Sequence, residues 1–348
     1  MTLRDKFFKL LFIVLFLSLF SKGYGQELKL SNKGVVRYTD TSSLLILKPE
    51  LAFRGKYEIC TGGDYRFSIR NSRVGASGNV NNYISYKFIL ELSSEGKFSI
   101  LDLYSKFNFN KRFSLTFGQS SLPLFNSYTT SPAQLDYANR PFLAKYFNSS
   151  RDIGFNLVYK IKSNGYPITI EGGLFNGDGI NNPQWTNSMA YSARLTFGEL
   201  AQGFKSSAKF YKTRRSNTEN YLMAGADVRY KCSSFKVEAE AMIKYNLYND
   251  DYLSSAYIQA LYVLPLKSAA FSAVEPLFRW DAMGYDLLDS GFGVNRVTTG
   301  ANLRIRLKNY SSLVRVNYEH YFNSKKLPEF ENEQMNGSKF TIEFVLSF

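Results

Sequence analysis

The sequence predicts an all-β fold, a closed transmembrane antiparallel β-barrel of about sixteen strands. Three observations carry that expectation. Segments of about ten residues alternate apolar and polar side chains at period 2 through most of the chain. Long, turn-rich connections fall at every second junction, and tight turns fall at the others. The last stretch, residues 339–348, sets Phe340, Ile342, Phe344, Leu346 and Phe348 on one face against Lys339, Thr341, Glu343 and Ser347 on the other.

Successive strand side chains point to opposite faces, so each such strand has one apolar and one polar side. In a membrane barrel the apolar side meets lipid and the polar side lines a lumen. A soluble sandwich could place its polar side in water outside, so alternation alone leaves both architectures open. The sorting of connections favours the barrel, because a Greek-key sandwich has no reason to keep its long loops at one end.

Taken in order, Arg4, Lys6 and Lys9 precede an apolar run from Leu10 to Phe20 and a small-residue site with Gly23 and Gly25. This is the pattern of a signal peptide, residues 1–25, cut before Gln26. The apolar run is too short to cross a bilayer as a helix. Residues 26–48 pattern weakly and are expected to be an irregular periplasmic lead-in, with the barrel occupying residues 49–348. In 66–80, Phe67 and Ile69 oppose Arg66, Ser68 and Arg70; the alternation slips at Asn71-Ser72, which reads as a bulge returning Arg73 to the lumen face. Strands are expected over 83–92, 98–109, 112–118 and 152–162. Later, 234–245 sets Val237, Ala239, Ala241 and Ile243 against Lys236, Glu238, Glu240 and Lys244, and 295–308 sets Val297, Leu303 and Ile305 against Arg296, Asn302, Arg304, Arg306 and Lys308. The long connections are 119–149, 175–186, 246–253, 282–294 and 322–337. The tight ones lie at Gly78-Asn79, Asn108 to Asn110, Ser163 to Gly165, Cys232-Ser233 and Asn309-Tyr310.

Composition agrees. Past Phe20 no segment approaches a membrane-spanning helix, while 25 Tyr and 30 Phe suit a barrel girdled by aromatics at both interfaces. Formal charge is +14 from 43 basic and 29 acidic residues. A basic excess speaks to partners: acidic lipid or small anions, and, given export, no nucleic acid. Cys60 and Cys232 make neither a disulfide framework nor a metal spacing.

Several motifs resemble the phosphate-selective porin O/P family of outer-membrane proteins. They are Phe67-Ser-Ile-Arg70-Asn-Ser-Arg73-Val-Gly75-Ala-Ser-Gly78 with Tyr86-Lys87 and Glu91; Leu115-Thr-Phe-Gly118-Gln119 with Leu122-Pro123-Leu-Phe125; and Arg151-Asp152-Ile153-Gly154 with Gly173-Leu-Phe175-Asn176-Gly177-Asp178-Gly179-Ile180-Asn181. They cover residues 64–198, and the terminal strand adds to them. The resemblance implies a channel in the bacterial outer membrane, often trimeric, whose long third outer loop folds inward as a constriction. Here that loop is 119–149. The terminal Phe348 resembles the signal read by the barrel-assembly machinery.

On these grounds the expected function is passive diffusion of small anionic solutes, phosphate among them, through a water-filled lumen. Candidate anion-lining residues are Arg66, Arg70 and Arg73 on one wall, Arg304 and Arg306 on another, and Arg140, Lys145 and Arg151 in and beside the loop, where they outnumber Asp136 and Asp152. Guanidinium groups in a narrow aqueous opening attract anions through field and forked hydrogen bonds. The plainer reading pairs the wall arginines with Glu91, Asp102 or Glu171, and Arg151 with Asp152. Asn176 to Asn182 lacks the acidic positions of a calcium loop and reads as a turn. No catalytic motif, cofactor or metal is expected. The alternative is a non-channel barrel, an adhesin or structural anchor, or a rim hydrolase built on His320, the one histidine.

Overall fold

The computed structural model describes residues 27–30, 35–40, 43–93, 98–285, 293–307, 311–323 and 337–347; the expected signal peptide and Phe348 lie outside them. Among the described residues all strands join one antiparallel sheet. A hairpin of β1 (Glu27–Leu30) and β2 (Val36–Asp40) precedes the long β3 (Ser43–Cys60). Then come β4 (Tyr65–Ile69) and β5 (Ser72–Asn79), two halves of one wall strand that both pair with β3. Next are β6 (Ile84–Leu92), β7 (Phe98–Asn108), β8 (Phe113–Ser121) and β9 (Arg151–Ser163). β10 (Tyr166–Phe175), β11 (Ala190–Glu199), β12 (Phe204–Arg214) and β13 (Asn220–Cys232) follow. β14 (Phe235–Asn246), β15 (Tyr252–Tyr262) and the short β16 (Leu264–Pro265) that prolongs it lead to β17 (Phe271–Gly284). β18 (Val294–Ile305), β19 (Ser311–Asn323) and β20 (Lys339–Ser347) complete the wall.

β20 pairs back to β3, with Lys339 opposite Cys60 and Ser347 opposite Ala52, so the sheet closes. With β4 and β5 taken as one strand, β15 and β16 as another, and the leading β1–β2 hairpin left out of the wall, the barrel has sixteen strands. Closure leaves no exposed sheet edge in the wall, which a spanning sheet in lipid requires.

The two faces are the inverse of a soluble protein. In β20, Glu343 is 0% exposed while its neighbour Phe344 is 40% exposed. In β11, Ser192, Arg194 and Thr196 are buried, and Tyr191, Leu195 and Phe197 lie open outside. Polar groups thus sit inside and aromatic or aliphatic ones outside, as hydrocarbon demands. Register then places the inside charges against opposites: Glu58 faces Arg66, Arg73 faces Glu91, Asp281 faces Arg296 and Arg315 faces Glu343.

The break between β4 and β5 falls at Arg70 and Asn71, where Asn71 takes φ 52, the slip the alternation predicted. Gly118 on β8 and Gly154 on β9 stand directly opposite one another. A Cβ on Gly154 would lie 2.1 Å from the Leu174 carbonyl oxygen, and Gly118 has φ 123, so neither position accepts a side chain. One expectation fails. Residues 26–48 are not irregular throughout: β1 and β2 form a hairpin whose second strand pairs with β3, and β3 begins at Ser43 rather than Pro49.

Candidate functional site

The loop 122–150, third of the outer connections, turns into the barrel. It carries short helical turns at Asn126–Thr129 and Phe142–Tyr146. Its Leu122, Leu124, Phe125, Phe142, Leu143, Ala144 and Phe147 join one apolar cluster with Phe175, Ala190, Tyr211, Met223, Met242, Leu253, Tyr257, Met283 and Val294. These wall residues lie on the inward face, near the outer ends of β10 to β18. The lumen is therefore not polar throughout: one arc of it is an apolar seat for the loop.

A loop inside a barrel has no ladder partners, so its carbonyls need other donors. The wall supplies them. Arg315 Nη2 donates to Ala133 O at 3.0 Å, Arg54 Nη2 to Ala138 O at 3.0 Å, Arg279 Nη1 to Asn139 O at 2.9 Å and Arg296 Nη2 to Arg140 O at 2.8 Å. In the other direction, the Phe142 N–H donates to Asp281 Oδ2 at 3.1 Å, and the Ala138 N–H to Asn317 Oδ1 at 2.8 Å. Burial of the apolar side chains and these hydrogen bonds together hold the loop against the wall.

Each buried arginine is also neutralised by a carboxylate, as an interior charge must be. Arg315 and Arg54 share Glu343, at 2.5 and 2.6 Å. Arg296 meets Asp281 at 2.6 Å and Glu319 at 3.3 Å.

Between the loop and the wall running from β18 through β3 to β9 lies a cavity of about 470 Å³. Six of the eight residues expected to face anions line it: Arg66, Arg70, Arg73, Arg140, Lys145 and Arg151. Arg54, Lys56, Arg296 and Lys339 join them; the only carboxylates lining it among the described residues are Glu58 and Glu91. Arg304 and Arg306 do not belong. Arg304 pairs with Glu275, and the exposed Arg306 donates to the carbonyls of Ser268 and Leu266 beyond the inner end of β18. They share the lumen face of Arg296 but not its height.

The plainer pairings are partly met. Arg73 contacts Glu91 at 3.2 Å, Arg66 takes Glu58 at 2.8 Å, and Arg151 takes Asp102 at 2.8 Å rather than Asp152. Asp152 instead accepts the N–H groups of Ile153 and Gly177, fixing the 176–182 turn. Glu171 lies 3.9 Å from Arg194. The loop cations are different. Among the described residues neither Arg140 nor Lys145 has a carboxylate partner; Arg140 lies 4.5 Å from the Tyr128 ring, and Lys145 4.9 Å from the Tyr146 ring. Burial pushes the Lys145 ammonium down to about 8, helped by the nearby Lys339, Arg296 and Arg70 and opposed by Glu319.

Arg54 and Lys56 were absent from the residues expected at the site. The signal for them was present, since Arg54, Lys56 and Glu58 alternate with Phe53, Gly55 and Tyr57. His320 lies outside the cavity, its Nδ1 2.6 Å from Ser338 Oγ and its ring edge-on to Phe322.

A family model of phosphate-selective porin O and P matches residues 56–234. The chain belongs to that family. It is an outer-membrane porin, a passive channel of the bacterial outer membrane. A search of curated proteins returned no match. Solved structures of the same fold include a loop L8 deletion mutant of OmpT from Vibrio cholerae, at TM-score 0.61 and 9% identity, covering 87% of this chain and 99% of that one. The outer-membrane channel DcaP of Acinetobacter baumannii superposes at TM-score 0.60 and 12% identity, covering 87% and 97%. An anion-selective porin from Comamonas acidovorans does so at TM-score 0.59 and 11% identity, covering 87% and 99%. At such identities the likeness is one of fold.

Proposed function

We propose that this porin passes small anions, phosphate among them, and that its selectivity arises where loop 122–150 faces the wall from β18 through β3 to β9. One observation carries the reading: ten Lys or Arg side chains line the cavity there against two Glu. Asp102, Asp281, Glu319 and Glu343 stand behind the lining and offset part of that charge. Cations still outnumber acids. Low-dielectric walls focus the field of such a cluster into the water between them, raising local anion concentration. The structurally similar Comamonas acidovorans protein is described as anion-selective, and the same preference is proposed here. In-vitro folded OmpT of Vibrio cholerae is described in a trimer form, and a homotrimer is proposed for this chain too.

The test is the reversal potential in planar bilayers across a KCl gradient. Wild type is expected to favour chloride over potassium, and Arg140→Glu to lower that ratio severalfold. Potassium preference in the wild type would contradict the reading. The rim-hydrolase alternative rests on the contact of His320 with Ser338. We read that contact as a tie between β19 and the start of β20, with the imidazole at headgroup level. Hydrolase activity lost in His320→Ala would overturn it.

A further inference from the structure

We infer that the solutes this cavity selects are organic carboxylates with an aromatic body, in preference to inorganic phosphate. The inference rests on the anion reading above and adds the chemistry of the solute.

Three observations point to it. First, the strongest guanidinium groups are already committed. Arg54, Arg73 and Arg151 hold Glu343, Glu91 and Asp102, and Arg54 also holds a loop carbonyl. A multiply charged, compact oxyanion needs several converging donors, and here most converge on protein carboxylates. Secondly, among the described residues the cavity cations Arg140 and Lys145 have no carboxylate partner, although Arg140 donates to the Ser127 carbonyl, and each sits against an aromatic face, that of Tyr128 and that of Tyr146. A solute carboxylate meeting either cation brings the rest of the solute beside a ring. Thirdly, the rings continue. Tyr146 and Tyr321 line the same cavity on either side of the nearly buried Phe142, whose ring centroid lies 6.2 Å from that of Tyr146 and 6.3 Å from that of Tyr321. Arg296 lies 4.6 Å from the Phe142 ring, keeping a positive charge along the row.

A row of rings at such spacing suits a flat apolar body through offset or edge-on contact. The volume of about 470 Å³ lies within the range of pockets for small organic ligands, and a phosphate ion fills only a small part of it. One carboxylate on a ring matches both the cations that hold no carboxylate and the rings beside them.

The experiment measures block of KCl current through single wild-type channels by benzoate, cyclohexanecarboxylate and inorganic phosphate. Benzoate and cyclohexanecarboxylate share charge and approximate size, so their ratio isolates the ring. Benzoate is expected to halve the current at about tenfold lower concentration than cyclohexanecarboxylate, which is about 1.4 kcal/mol. Phosphate is expected to need more than either. In Tyr146→Leu the ratio of benzoate to cyclohexanecarboxylate block is expected to fall to about twofold, in protein whose heat-modifiable migration shows a folded barrel. Should Tyr146→Leu not fold, Tyr128→Leu serves the same comparison. Equal block by the two carboxylates in the wild type would overturn the inference, as would phosphate blocking at the lowest concentration, or a ratio unmoved in the folded ring variant. The underlying anion reading fails separately, if the reversal potential in KCl shows potassium preferred.

Discussion

Lys145 is the residue on which charge and pH meet. Its ammonium is lowered to about 8, first by burial and then by neighbouring cations. A lysine carries its charge below its pKa, so raising pH from 7 to 9 removes a positive charge from the cavity. The chloride-to-potassium permeability ratio is therefore expected to fall across that interval in wild type and to fall less in Lys145→Arg, whose guanidinium remains charged. Reversal potentials at three pH values check this, and a rising ratio would contradict it. Residue identity was also where the sequence spoke most unevenly. Period 2 told which face Arg304 shares with Arg296, because that is a property of the strand alone. It did not tell height, because height depends on how sixteen strands stagger around a closed wall. Arg304 thus belongs to an ion pair with Glu275 far from the cavity, while Arg296 stands within it.

Among the elements, loop 122–150 decides what the pore is. Its position as the third long outer connection was legible from the sorting of turns. Its seat was not. Met223, Met242, Tyr257 and Met283 look in sequence like breaks in a polar lumen pattern, and only the returning loop turns them into a packing surface. The hairpin and the early start of β3 are hidden in the sequence for a related reason: the continuous apolar run 44–47 masks the alternation of β3, and Pro49 reads as a start. The polar half of the loop's attachment is open to test. Arg315→Met removes the donor to Ala133 O and one partner of the fully buried Glu343. Breaking a buried pair from one side costs about 3–5 kcal/mol. The variant is expected to unfold at lower temperature in detergent and to show noisier single-channel current, as a loop with fewer tethers moves more. Quiet wild-type current in a destabilised barrel would separate the tether from the pore. Replacing 126–146 by a short Gly-Ser linker is expected to raise conductance severalfold and bring the ion preference toward unity.

For the whole molecule, the organising fact is the inversion of faces, dry outside and wet inside. It was the most legible feature of all, since each strand states it independently and the terminal strand departs from it only at the inward Val345. It predicts an asymmetry between neighbours. Ile342 on β20 is 38% exposed on the outer face, and Thr341 beside it is buried inside. Ile342→Arg is expected to destabilise the barrel in lipid by about 2–4 kcal/mol if that position lies near the bilayer midplane. Ile342→Leu keeps an apolar group there and is expected to cost less than about 1.5 kcal/mol. Urea titration in liposomes measures both, and equal stability of the Arg and Leu variants would contradict the lipid assignment.

In the proposed pore, solute passes between loop 122–150 and the arginine-rich wall. Thiol modification of Lys145→Cys, in a background with Cys60 and Cys232 replaced by Ser, addresses it most directly. An anionic methanethiosulfonate is expected to react faster than a cationic one of equal size and to lower single-channel conductance in discrete steps. Complete labelling by mass with no change in conductance would show that the path lies elsewhere.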